Sequence, residues 1–381
     1  MDGIKPYHIG ITGSYGGLNL GDEAILKCII DQLRNSLPVE ITVFSKNPED
    51  TLRNHDVDKA IAVRELSREE ILPEIKNLDL LIVGGGGIFF DGEVNIYLRE
   101  VILANEVAVP VMIYAVSAGP LTNSSNKKLI RDCLNKAAVI TVRERDAKKL
   151  LEESGITSRI QVTADPALLL PPEPIPDDSL QREGLNAQQR LIGISVREPG
   201  LAAPDINEKH YHSLLANAAD YMVDRMNADI VFVPMEREIR DVQQSHAVIA
   251  QMLRPQHATV LKGVYSPGQM LSFMNYFMFA VGMRLHFLIF AALQNVPFVA
   301  LPYASKVIGF LDDLKIVTPP IHLVNAGRLI AHIDNSWDRR ELIISKIKEK
   351  LPELKKRAKQ TNEIAVSLIQ SLSPGKIDYT I

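Results

Sequence analysis

The sequence predicts an α/β protein built as two units, each a mostly parallel sheet with helices on both faces. Three observations carry this. Short apolar runs alternate with helix-like runs through the first 170 residues. The same alternation restarts near residue 190, after a proline-rich break. Successive apolar runs are separated by crossovers long enough to return a parallel strand. A chain of 381 residues also suits two domains better than one.

Taken in order, YHIGIT (7–12) reads as a strand, and residues 22–36 have helical spacing, with Ala24, Ile25, Cys28, Ile29 and Leu33 on one face. Strands are predicted at 39–44, 78–84, 109–117 and 137–142, with helices near 67–76, 94–107 and 126–136. IQVTADPALLL (160–170) is the last strand of this half and the loop after it. The stretch 171–189 carries four prolines, several charges and no periodicity, and reads as a linker. Beyond it come strands at 190–197, 228–235, 258–263, 277–282 and 296–302. Helices are expected near 208–226 and 236–253, from Ser266 as N-cap with Pro267 in the first turn, and from about residue 284. The predicted domains are 1–172, a linker at 173–189, 190–335, and a helical tail at 336–381. In the tail, Ile343, Ile347, Leu351 and Leu354 share a face, and Pro352 is expected to kink or break the helix. Two such halves joined by a linker predict an active site in the cleft they face.

Composition narrows the function. A formal net charge of −4 with no basic stripe gives no reason to expect nucleic acid. Cys28 and Cys133 lie far apart in helix-like stretches, as packing thiols of a reducing compartment would. No basic leader precedes a long apolar region, so a cytoplasmic protein without a signal peptide is expected. The most apolar stretch, 273–293, is interrupted by Arg284 and His286 and reads as strand, turn and buried helix, not as a membrane span. The Lys-rich patch from Lys346 to Lys359 is a solvated face, with contact to an anionic membrane surface as the lesser alternative.

Five stretches could carry chemistry. ITGSYGGLNLGDEAIL (11–26) places Gly13, Gly16, Gly17 and Gly21, with Asn19, between a strand and a helix. Glycines there let backbone N–H groups approach a ligand at the positive end of the helix. The spacing fits neither a dinucleotide fingerprint nor a Walker loop. Asp22 and Glu23 either complement the helix dipole or, in the case of Asp22, meet sugar hydroxyls. GGGGIFFDG (84–92) reads as a second glycine loop at a strand's C-terminal end, with Gly85 and Gly86 at its centre. In VRERD (142–146), Arg143 comes directly off Val142 and is better placed than Arg145 to face the cleft, with a surface ion pair as the plainer alternative. Glu144 and Asp165 are secondary candidates, and Asp165 either orients Arg143 or caps a turn. In VGMRLHFLIFAAL (281–293), Arg284 would bind an anion through its fork and His286 would move a proton near neutral pH. Lys306 sits in the first turn of the next helix, where it opposes the dipole unless an anion binds there. No metal motif, cysteine nucleophile or Ser-His-Asp order competes with this set.

GSYGGLNLGDEAIL, VRERDAKKLLEESG, ADPALLL, YSPGQMLSFM and VGMRLHFLIFAAL, in this order, resemble the polysaccharide pyruvyl transferases, most nearly the CsaB-like subgroup of bacterial cell-wall enzymes. The resemblance runs from about residue 8 to about residue 315. It implies two Rossmann-like halves of GT-B type, with residues 1–172 as the acceptor side and 190–335 as the donor side. It also implies transfer of the pyruvyl group of phosphoenolpyruvate to two hydroxyls of a sugar, free in a polymer or lipid-linked, forming a cyclic ketal. On that resemblance His286 is the general acid, Asp22 orients or deprotonates the acceptor, and Arg143, Arg284 and Lys306 hold the donor's carboxylate and phosphate. No metal or bound cofactor is implied, phosphoenolpyruvate being a co-substrate, and any membrane contact would come through the acceptor. One departure stands out: relatives often carry Asp-Pro before the lysine, and here Ala304-Ser305 precedes Lys306. Two rival readings remain at this stage: a GT-B glycosyltransferase using a nucleotide-sugar, and a sugar-binding relative without turnover. Arg284-x-His286 and the Gly-Asp-Glu of the first loop argue against the former. The acceptor sugar and the oligomeric state are left open.

Overall fold

In a computed structural model, residues 5–186, 188–198, 207–236, 240–301, 305–317 and 325–372 are described. The run Tyr7–Thr12 becomes strand β1, with Ile9 and Ile11 both fully buried, as a strand covered on both faces requires. Helix α1 (Leu20–Ser36) follows, then β2 (Val39–Ser45), α2 (Pro48–Asn54), β3 (Lys59–Ala62), α3 (Arg68–Lys76) and β4 (Leu80–Phe89). After these come α4 (Val94–Tyr97), α5 (Arg99–Glu106), β5 (Val111–Ala118), α6 (Ser124–Leu134), β6 (Val139–Val142), α7 (Arg145–Glu153) and β7 (Ile160–Val162). The seven strands form one parallel sheet in the order β3-β2-β1-β4-β5-β6-β7. The order reverses between β1 and β4, where an open α/β sheet leaves a crevice at its strands' C-terminal ends.

The second sheet repeats the plan. After α8 (Ser179–Arg182) come β8 (Arg190–Ser195), α9 (Glu208–Met226), β9 (Ala228–Phe232), α10 (Arg240–Ile249), β10 (Ala258–Val260) and α11 (Pro267–Phe273). Then follow β11 (Phe277–Gly282), α12 (Leu285–Leu293), β12 (Phe298–Ala300), α13 (Ser305–Leu314), α14 (Ala326–Asp338) and α15 (Arg340–Ser371). Its strands are parallel in the order β10-β9-β8-β11-β12, with the reversal between β8 and β11. The Ser266 N-cap with Pro267 is present as a full capping box with Gln269. Among the described residues, no helix is long and apolar enough to cross a membrane. Cys28 and Cys133 are buried free thiols.

The chain divides into two compact units. The first comprises Met1–Gly17, Ile25–Leu169 and Lys355–Ile381, the second Leu18–Ala24 and Leu170–Leu354. This departs from the predicted boundaries in three places. Residues 18–24 join the second unit because the Leu20 N–H donates to the Met235 carbonyl at 2.8 Å and Asn19 bridges Glu236. The expected linker at 173–189 is fastened to the second unit: the Glu183 carboxylate accepts from Lys262 N, Gly263 N and the Tyr265 hydroxyl, and the Ser272 hydroxyl donates to the Glu173 carbonyl. The expected tail is divided within α15, which runs unbroken through Pro352. Ala187 of the linker and Ala304 before Lys306 lie outside the described residues.

The glycine run Gly84–Gly87 is also not a loop. It lies inside β4, paired with β5. Neighbouring side chains explain it: a Cβ at Gly84 would lie 2.3 Å from the Tyr15 hydroxyl, and one at Gly85 would lie 2.5 Å from Ile25 Cγ2. Gly86 has φ of +92°, a conformation L side chains rarely adopt. The strand β3 and helix α2 were not predicted; KAIA contains a single strongly buried residue, Ile61, too weak a pattern for a strand.

Candidate active site

The second unit gathers the sharpest of the predicted residues at its sheet's reversal point. β11 ends at Gly282, where a Cβ would lie 2.6 Å from Phe287 Cδ1, so the turn into α12 can close only over glycine. Arg284 follows in extended conformation at the N-cap, and α12 starts with Leu285 and His286. Arg284 is 8% exposed. Its Nε donates to Asp241 Oδ2 at 3.1 Å, and its Nη2 donates to Glu236 Oε2 at 2.7 Å and also to Asp241 Oδ1. Asp241 is fully buried and accepts two further bonds, from the Met235 and Glu236 amides at 3.1 Å each. Burial pushes the Asp241 carboxyl up, and the Arg284 guanidinium pulls the other way. The fork expected to grip a ligand's anion is therefore seated on Asp241, with Glu236 as its outer partner.

His286 is half-buried in the first turn of α12. Its imidazole occupies the place a side chain at residue 21 would take: a Cβ on Gly21 would lie 1.8 Å from His286 Nδ1. The turn bearing Gly21 is held by its own bonds, Gly21 N to Asn19 Oδ1 at 3.0 Å and Glu23 N to the Asn19 carbonyl at 3.0 Å. Asp22 follows directly, so the Gly-Asp-Glu turn from the start of the chain lies against His286 within one unit. Lys306 stands half-buried in the first turn of α13, after the neighbouring strand β12. Ser195 closes β8 beside β11, paired with Gly282, and its buried hydroxyl has no hydrogen-bond partner among the described residues.

The first unit holds the remaining candidates. Arg143 follows β6, with its side chain 3% exposed. Its Nη1 donates to Asp165 Oδ2 at 2.6 Å and its Nε to Glu144 Oε2 at 3.3 Å. Glu144 also accepts from the Ser117 hydroxyl. Asp165 both orients Arg143 and caps its own turn, accepting from Ala167 N at 3.0 Å. Arg143, read as a donor ligand, thus sits in an ion-paired cluster with both secondary candidates. Arg145 is exposed. Gly16 takes φ of +71° and would carry a Cβ 2.2 Å from Ser45 Oγ, while Gly17 meets only the Lys46 side chain. Gly16, Gly21 and Gly85 are therefore required by neighbours within the chain itself.

Sequence reading missed Asp241, Glu236 and Ser195. Asp241 opens the largely polar helix RDVQQSHAVI beside Arg240, where an acid looks like solvated surface. Among the described residues, no three His, Cys, Asp or Glu side chains stand together as a metal would need. What the second unit's arrangement can do is acid–base and anion chemistry: an imidazole and a carboxylate-bearing turn in contact, with a guanidinium and an ammonium on adjacent strand ends.

The family described as polysaccharide pyruvyl transferase matches residues 19–305. Comparison with curated protein sequences finds no match. Among solved structures, the chain is similar to MnaA of S. aureus in a co-structure with UDP, at TM-score 0.67 and 11% identity, covering 98% of this chain and 99% of that one. It is similar to a putative UDP-N-acetylglucosamine 2-epimerase from Listeria monocytogenes, at TM-score 0.64 and 12% identity, covering 97% of each chain. It is also similar to a glycosyltransferase from Rickettsia africae, at TM-score 0.64 and 13% identity, covering 97% of this chain and 100% of that one. These likenesses are of fold: two parallel-sheet α/β domains of GT-B type.

Proposed function

Because the chain belongs to the polysaccharide pyruvyl transferase family, we propose that it moves the pyruvyl group of phosphoenolpyruvate onto two hydroxyls of one sugar. The acceptor is a cell-surface polysaccharide or its lipid-linked precursor, and the product is a cyclic ketal. The observation that carries the reading is the contact of the Gly-Asp-Glu turn with His286 at the reversal point of the second sheet.

The roles follow from the chemistry. C3 of the enol must gain a proton, which gives C2 cationic character. His286 supplies that proton. One sugar hydroxyl adds to C2, phosphate leaves, and the second hydroxyl closes the ring with loss of its proton. Of the two hydroxyl protons released, one balances that gained at C3 and the other leaves with phosphate or solvent. Asp22, one residue after the glycine that His286 packs against, takes a hydroxyl proton. Arg284 and Lys306 answer the donor's negative charge, with Arg143 as a further candidate. Asp241 fixes the Arg284 guanidinium in orientation, and Glu236 is the partner that an incoming anion would replace.

Calorimetry with phosphoenolpyruvate, UDP and GDP tests this on wild type, Arg284→Ala and His286→Ala. Phosphoenolpyruvate binding is expected in wild type and in His286→Ala, which loses turnover, and is expected to vanish in Arg284→Ala. Nucleotide binding with no response to phosphoenolpyruvate would replace this reading with glycosyl transfer.

A further inference from the structure

Two carboxylates share the one guanidinium of Arg284, and they are not equivalent. Asp241 is fully buried, and besides the fork it takes the amides of Met235 and Glu236 at 3.1 Å each. It is a fixed part of the interior. Glu236 is held more lightly. Its side chain is 25% exposed, and a single oxygen, Oε2, accepts from Arg284 Nη2 at 2.7 Å. A carboxylate that swings from such a place into water is rehydrated, which a buried one is not. In the empty site Glu236 helps to balance a buried guanidinium. An anion that comes to Nη2 must displace it or be repelled by it.

Glu236 is also tied to the first loop of the chain. Asn19 pairs with it as an isolated antiparallel bridge, and the Leu20 N–H donates to the Met235 carbonyl at 2.8 Å. Gly21 and Asp22 follow at once, with the His286 ring against Gly21. Residues 235 and 236 therefore have the Gly-Asp-Glu turn on one side and the Asp241–Arg284 pair on the other, all inside the second unit. An isolated bridge has no longer ladder to hold it. Its place is set by the ties of residues 235 and 236 to Asp241 and Arg284, so a change at Arg284 reaches the turn through two residues.

We propose that Glu236 is a latch on the donor site. It closes over Arg284 when the site is empty, and an anionic donor opens it by taking its place on the guanidinium. Opening loosens the Gly-Asp-Glu turn, so that the donor binds before the turn settles on the acceptor. The closed and open states each satisfy Arg284 with a different anion, which gives the ligand the differential contact that a conformational change requires. That the anion is phosphoenolpyruvate rests on the pyruvyl-transfer reading; the latch itself rests on the contacts of Glu236.

Opposite signs in two measurements identify a latch. In the full chain, Glu236→Gln should bind phosphoenolpyruvate about tenfold more tightly than wild type, the factor expected when the closed state outnumbers the open one about ten to one. Its urea midpoint should fall. A purely structural residue would lower affinity and stability together, and a residue that grips the donor would lower affinity. An internal competitor weakens every anion by the same factor, so inorganic phosphate and UDP, where they bind, should gain as much. Glu236→Asp keeps the charge and shortens its reach by one methylene. It should bind like Glu236→Gln, whereas a charge repelling from a distance would leave it like wild type. Hydrogen exchange reads the turn. Saturation with whichever of the three anions binds should speed exchange of the Leu20 amide severalfold in wild type, and in Glu236→Gln that amide should be fast without ligand. Unchanged or weaker binding by Glu236→Gln overturns the proposal. A wild-type-like Glu236→Asp overturns it too, as does exchange that the bound anion leaves unchanged or slows, or binding of none of the three anions to either protein. The two readings fail separately. Phosphate or UDP tightened by Glu236→Gln, with no response to phosphoenolpyruvate, would keep the latch and remove pyruvyl transfer. Pyruvyl transfer with no tightening in Glu236→Gln would do the reverse.

Discussion

One missing methyl group sets the geometry of the candidate active site. A Cβ at residue 21 would overlap the His286 ring at 1.8 Å from Nδ1, so Gly21→Ala can fold only if the imidazole moves. Displacements of about 1 Å at a reacting group cost roughly 10²-fold in rate. Gly21→Ala should therefore lower kcat/KM about 10²-fold in a transfer assay, with secondary structure by circular dichroism unchanged. Combined with His286→Ala it should be no worse than His286→Ala alone, because the group it displaces is gone. Asp241 acts differently. Asp241→Asn leaves the buried Arg284 charge short of its main partner, and removing one member of a buried pair typically costs about 3–5 kcal/mol. Urea unfolding should show a loss of that order, while Glu236→Gln, at the outer end of the same guanidinium, should cost less. His286 and Arg284 were legible in the sequence because ionisable groups stood inside an apolar run. Asp241 was not legible, because its main partner, Arg284, lies 43 residues further along the chain.

At the level of elements, the same glycine argument separates packing from ligand approach. The β4 glycines looked like a loop because a run of four glycines is flexible in isolation. Tertiary packing overrides this: Tyr15 and Ile25 fill the positions where side chains would sit. Gly85→Ala should destabilise the first unit by about 1–3 kcal/mol through overpacking. Adding Ile25→Ala, which removes the clashing Cγ2, should cost less than the two single changes summed, as a double-mutant cycle in urea would read. The segment after β4 gives a pH signature. Burial raises the pKa of Asp91, but hydrogen bonds from Thr122, Asn126 and Asn123 outweigh it and hold the carboxyl at about 2, below its ordinary 3.8. A depressed folded pKa contributes stability that is present above 3.8 and lost as pH falls towards about 2. Wild type should lose stability in that window, and Asp91→Asn should flatten the slope there while lowering stability at neutral pH by about 1–3 kcal/mol. Strands with continuous apolar runs were legible from sequence; β3 was not, since its pairing with β2 depends on a neighbour more than on its own four residues.

Across the whole molecule, the alternation of strand and helix was enough to read two parallel-sheet units, because parallel strands need crossovers and the crossovers show as helical periodicity. What the sequence could not show is which unit each peripheral segment joins, since that is decided by contacts between residues far apart in the chain. The last helix is the clearest case. Its residues from Lys355 on belong to the first unit, although they follow the second in sequence. The contacts are specific: Arg357 Nη2 donates to the Thr163 carbonyl at 2.6 Å, and Asn362 Nδ2 donates to Ser36 Oγ at 3.0 Å, at the end of α1. Ala358, Ala365 and Ile369 are buried there, at 1%, 0% and 0% exposure. A chain ending at Leu354 would lose these contacts and uncover the apolar surface they meet. Burying an isoleucine alone is worth about 1.5–3 kcal/mol, so the truncation should cost the first unit about 3 kcal/mol or more. Hydrogen exchange can localise the loss: α1 and the Thr163 turn should exchange faster, while α9 and β8–β9 of the second unit keep their protection. Equal loosening of both units would mean that the helix stabilises the molecule as a whole and not its first sheet.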